Sequence, residues 1–471
     1  MGKRNVLLSV LLAGGLAVSS IPINVLAHDE LGGVLIEKGT GAGYNDINAP
    51  VIEGSKNLSH LHEAAAPEMK IVREDGKANS FGDVYAYKGF AYLGTHTKNG
   101  GNGGVRVFDL KDPANPKEVT VFGNNDIPGT WQEKVIVKTV HTPDFQGDLA
   151  VVSVQQTSRS NPVSKGGFLL YDVTNPYEPK KLGFYEVTKK TNGTHELYLT
   201  TQGDKAIVLA ANPYADYYSH GAEKDFQIVD VSNPSKPKKV WEFDPRTVKG
   251  VPADFDGYNW KSPDGKTRPV FNHSTMVDGK YAYVSMWDLG TVIFDISSPE
   301  NPVYLGRTEF GSKQQGSAHS SALAKGGNVL VETREVYAPV KDGFEQAYGY
   351  TRIFDVKDKT NPKLLSEFKT ELYDNIENGT TFANTVHDPK VQGNTLYLSH
   401  YAGGVRAVDI TDPSNPVEIG KYVPEQSNIW GVFLDRNYIL ASDINSGLKV
   451  LQKNVGSPGA TENILKDRLF N

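Results

Sequence analysis

The sequence predicts an all-β fold, a seven-bladed β-propeller of four-stranded antiparallel blades. Three observations predict it. A unit with an apolar run, an Asp, a turn and a Pro recurs six times. Matching strands precede each unit, so each repeat holds four strands and calls for a radial array. A last, shorter set near the C-terminus lacks its closing strand, while a segment of that kind stands near the N-terminus. The composition agrees, because 47 Gly, 26 Pro and 23 Tyr in 471 residues suit short strands joined by tight turns.

The chain opens with Lys3 and Arg4, an apolar stretch, and small residues at Val25 and Ala27. This is the pattern of a signal peptide over 1–27, cleaved after Ala27. It implies a secreted or cell-envelope protein. The rest of the chain has no apolar run long enough to span a bilayer. Residues 28–65 read as an N-terminal extension, 66–452 as the propeller and 453–471 as a polar tail. An exported chain with no cysteine rests on its apolar core, and thiolate chemistry is excluded.

The repeat reads "GGVRVFDLKDPANPKEVTVF" at 103–122, "GGFLLYDVTNPYEPKKLGFY" at 166–185 and "GGVRAVDITDPSNPVEIGKY" at 403–422. Further copies lie at 224–243, 289–310 and 350–368. The anchoring acids are Asp109, Asp172, Asp230, Asp295, Asp355 and Asp409. In each, the Asp side chain can bond the turn backbone while Pro fixes φ. The seventh set, at 430–452, lacks this ending. The segment "APEMKIVRE" at 66–74 matches it and is expected to complete the last blade, which would remove two exposed sheet edges. These units resemble the LVIVD repeat family of bacterial and archaeal surface proteins. That resemblance implies a propeller and a surface or extracellular location, and little defined biochemistry.

Aligned on the Gly that ends the innermost strand, the blades show a second pattern. His141, His273 and His387 stand six residues before Gly147, Gly279 and Gly393. His195 and His319 take the equivalent place with small length adjustments. Blade one has Asp83 there and blade seven has Trp430. The start of the innermost strand lines the channel mouth, so these five imidazoles are expected to converge. A nitrogen-rich set suits a transition metal, iron or copper first and zinc as a further option. Asp83 is then an orienting or acid–base group. His96, Trp287, His400, Tyr401 and Trp430 are expected to form the substrate wall. The alternative is that these histidines only hold neighbouring blades in register.

Two functions follow. One is a metal-dependent oxidoreductase acting on a small organic molecule. The other is a non-catalytic binding or adhesion propeller that uses a loop-rich face to bind glycan, protein or extracellular matrix. Its long insertions include 212–225, 246–270 and 334–349. The balanced charge, 49 basic against 55 acidic residues, argues against a nucleic-acid partner. No phosphate-loop or nucleotide motif stands out, so no nucleotide cofactor is expected. The reading is of a monomer.

Overall fold

The computed structural model describes residues 58–63, 80–96, 103–156, 165–187, 193–376, 384–424 and 427–453. The signal-like segment and residues 66–74 lie outside them. The sheets form seven blades and one small ribbon, Asn259–Lys261 with Thr267–Pro269. Blade four shows the plan: Ser274–Asp278, Tyr281–Ser285, Thr291–Asp295 and Val303–Arg307 pair antiparallel in sequence order. The innermost strands are Ser80–Tyr87, Val135–His141, Glu196–Gln202, Ser274–Asp278, Ala318–Ala324, Pro389–Gln392 and Ile429–Asp435.

The local chemistry is that of the repeat. In all six units the anchoring Asp accepts the N–H two residues on, at 2.7 Å from Lys111 to Asp109 and 2.9 Å from Ser297 to Asp295. The turn is thus closed by its own side chain, which frees the next strand to pair back. The third strands are buried up to their half-buried closing Asp, while the outer ones run from exposed at their start through half-buried to a buried end. The core lies between blades, where Val, Leu, Ile and Phe of adjacent sheets meet.

The ring is stitched by hydrogen bonds between consecutive blades. Asp83 N donates to Glu133 O (3.1 Å), and a single bridge joins Gln155 to Gly193. The Thr275 hydroxyl reaches Leu209 O, Ser274 reaches His319 O, and Thr333 reaches His387 O. Tyr401 bridges Ile429, and Phe81 N donates to Ile444 O (3.0 Å), which joins blade seven to blade one. The outer strand of blade seven is Leu58–Glu63, paired antiparallel with Gly447–Lys453. The strand in that place is therefore 58–63, upstream of the expected 66–74.

Candidate metal centre on the propeller axis

The backbone register fixes which residues face the axis together. Opposite the second strand's inner end stand Lys134 (facing Ser153), Glu196 (Ala211), Ser274 (Ser285), Ser320 (Thr333), Asp388 (Ser399) and Gly431 (Ser442). In blade one the same place belongs to Asp83. One residue earlier come Gly82, Glu133, His195, His273, His319, His387 and Trp430. Two tiers of side chains result, one residue apart on the same strands.

The earlier tier brings four of the five expected histidines together, all fully buried. His195 and His273 face each other with Nε2 atoms 3.2 Å apart. The ring centroids of His273 and His319 lie 4.1 Å apart, and those of His319 and His387 4.2 Å apart. Two nitrogens on one ion, each at about 2.1 Å, sit roughly 3.0–3.4 Å from each other, so the His195–His273 spacing fits shared coordination. His319 turns Nδ1 to the Ser320 hydroxyl and Nε2 toward Glu335 Oε2 (3.6 Å). His387 Nε2 is 3.7 Å from Glu335 Oε1. Ligand atoms of His273, His319 and Glu335 all lie within 4.8 Å of one another. Glu133 stands 3.6 Å from His195 Nδ1 and accepts a hydrogen bond from Gln155 (2.6 Å). That is the carboxylate–imidazole pairing that orients ligating histidines. The backbone carbonyls of His319 and His387 hold neighbouring strands in register, which leaves the rings to face one another.

The fifth histidine is a correction. His141 is exposed and ends its strand at the far end of blade two, where it pairs with Gln146. Gly147 lies past the turn, in the second strand opposite Val140, so six residues before it falls at the wrong end. Glu133 takes the place on the axis. Aligning blades on the small second-strand residue, Ser153, Ser285, Ser399 or Ser442, would have found it. Asp83 also moves. It lies in the deeper tier, accepting a hydrogen bond from Lys134 Nζ at 2.6 Å, and Gly82 stands where the imidazole would be. A register shift between Phe81 and Val84 produces the offset.

Of the expected wall, three residues border the histidines. Trp287 stacks on His273 (5.2 Å, 29°), while Tyr401 and Trp430 meet His387 edge-on at 5.0 and 5.7 Å. The Tyr401 hydroxyl donates to Glu335 (2.5 Å). Burial and then Glu335 push the Tyr401 phenol well above its usual range, so it stays a donor. His400 instead meets Thr370 (3.4 Å), and burial aided by Arg406 pulls it down to about 3. The His96 side chain lies outside the described residues. Trp287 (φ 47°), Tyr401 (φ 36°) and Ser317 (φ 68°) hold left-handed backbone, the kind of strain that gathers at functional sites. Glu335 comes from the 334–349 insertion outside the repeat, so no periodicity could select it. The aromatic loop residues pack as a cover: Tyr214, Phe271 and Trp287 form one cluster with Tyr218 and Tyr258 against them. A cavity of about 40 Å³ reaches the cover's inner side between Trp287, Glu335, Tyr337 and Lys341.

The deeper tier is ionic. Lys134 sits between Asp83 and Glu196 (3.5 Å), and Lys390 pairs with Asp388. All five side chains are buried. Burial works against the Lys134 ammonium, but Asp83, Glu196 and Asp388 outweigh it and hold it protonated. Burial raises Glu196 well above the carboxylate range and raises Asp388 as well.

The family profile for the LVIVD repeat matches residues 221–244, 273–309 and 385–423. This chain carries LVIVD repeats. The second match begins at His273 and the third includes His387, so the repeat-bearing blades four and six supply two of the four axial imidazoles. No curated protein matches the LVIVD-repeat chain. Solved structures similar to it include the computationally designed Ika8 protein, at 11% identity over 82% of this chain and 99% of that one, TM-score 0.45. The Pan2 WD40 domain of Neurospora crassa is similar at 11% identity over 87% and 99%, TM-score 0.47. A catalytically inactive virginiamycin B lyase from Staphylococcus aureus, solved with quinupristin, is similar at 10% identity over 83% and 98%, TM-score 0.48.

Proposed function

We propose that the chain is a secreted or cell-envelope metal-dependent oxidoreductase acting on a small organic molecule, with an ion held by His273, His319 and Glu335. The observation that carries this reading is the buried His–His–Glu group with its ligand atoms within 4.8 Å. Two imidazoles and a carboxylate suit iron, and the added nitrogens of His195 and His387 suit copper. Such an ion supplies one-electron chemistry. The chain's own residues do the rest. Glu133 orients His195, Tyr401 fixes Glu335 through its hydroxyl, and Trp287 and Trp430 exclude water. No helix among the described residues is long and apolar enough to cross a membrane.

Elemental analysis of untagged exported protein tests this. About one iron or copper per chain is expected, and His319→Ala should remove it. Glu133→Gln, at the carboxylate that orients His195, should weaken metal affinity roughly 10–100-fold. Protein that stays metal-free after anaerobic reconstitution overturns the proposal. A second reading, a non-catalytic binding propeller, is favoured by the insertions at 212–225 and 334–349, where Tyr217 is 36% exposed. Partner binding that survives His319→Ala but is lost when those loops are trimmed would select it.

A further inference from the structure

A cavity of about 200 Å³ lies beside the covered centre, with Trp260, Arg268, Asp288, Arg307, Phe310 and Ser312 in its wall. Asp288 also lines the smaller cavity next to Glu335. This carboxylate is 3% exposed and built in place. Its Oδ1 accepts the Ser317 N–H at 2.9 Å, and Gly316 (φ +90°) presses against it so closely that a Cβ would stand 2.3 Å from Oδ1. The other oxygen, Oδ2, is buried without a hydrogen-bond partner. Such a group in a native fold calls for a partner.

The rest of the wall states what that partner must be. Its charges are already spent on each other or on the backbone. Arg268 is tied to Asp264 (2.8 Å) and Gln314 O (3.0 Å), and Arg307 to Glu309 (2.8 Å) and Leu289 O (2.8 Å). An anion would meet guanidiniums that are already paired. A cation would approach two arginines, with Lys341 beyond. A neutral molecule that donates a hydrogen bond to Asp288 and lays an apolar face against Trp260 or Phe310 meets neither cost. The volume is below that of drug-sized pockets, about 300 Å³ and up, which limits the occupant to one small ring.

We propose that this cavity is a binding site for a monosaccharide-sized polyol, anchored by a hydroxyl on the Asp288 carboxyl group. The site stands without the metal. Its position, one residue along the chain from the Trp287 that covers His273, would bring a bound sugar beside the axial centre.

The test is a titration of D-glucose, D-galactose and D-mannose, followed by ligand-observed NMR on the full chain, with choline as the cationic control. Saturable binding of at least one sugar in the millimolar range is expected. Asp288→Asn should weaken it tenfold or more. Ser312→Trp, a change at an exposed rim position that fills the cavity, should do the same without touching the core. His319→Ala should leave it unchanged, so loss of metal and loss of sugar are read separately. Three outcomes would overturn the proposal: no binding of any sugar at tens of millimolar, sugar binding indifferent to Ser312→Trp, or binding of choline alone.

Discussion

The two tiers on the axis come from the same inner strands, one residue apart, and have opposite chemistry. The deeper one closes on itself: Lys134 and Lys390 answer Asp83, Glu196 and Asp388, and the group works as an internal plug. The outer one gathers imidazoles with Glu133 and Glu335 and has no ammonium among the contacts described. A propeller axis is where seven strand ends crowd together, and the chain solves that crowding twice. In one layer, opposite charges fill the space. In the other, imidazoles and carboxylates that could hold an ion fill it.

The largest expected effect comes from breaking the plug. Lys134→Met leaves the buried Asp83 and Glu196 without their counter-ion and should cost about 3–5 kcal/mol, read by chemical denaturation at neutral pH. A change of less than about 1 kcal/mol would mean that the tier is wetter than its burial implies. Next is Asp288, which has no ion pair among the described residues and which burial pushes up to about 7. The protonated form is the one the fold prefers. Its penalty is absent below pH ~4, grows as pH rises, and is complete above pH ~7. Asp288→Asn should therefore stabilise the protein by about 3 kcal/mol at pH 8 and change little at pH 4, as paired thermal melts at the two pH values would show. The smallest effect is expected at His141, where His141→Ala should change neither metal content nor melting temperature. Loss of metal in that variant would contradict the placement of Glu133 on the axis.

The propeller was legible because one physical device repeats. Each Asp closes its own turn, so six copies of a short pattern announce six blades before any alignment of strands. The centre was half legible. His195, His273, His319 and His387 follow from counting back from a turn Gly, since their first hairpins are of similar length. The same count fails in blade two, where Gly147 lies past the turn and the count lands on His141 at the far end, and it slips by a residue in blade one, where a bulge drops Asp83 into the ionic tier. Glu335 comes from an insertion after blade five's second strand and belongs to no repeat. The Lys134–Asp83 pairing needed the ring itself, since 51 residues separate the two.

The outermost strand of blade seven, Leu58–Glu63, precedes all the other described strands, and its partner, Gly447–Lys453, follows them all. The final sheet therefore cannot be completed while the ribosome is still translating the earlier blades. Until Gly447–Lys453 has been made, that early segment waits without its neighbour, and closing the circle comes after the other described blades.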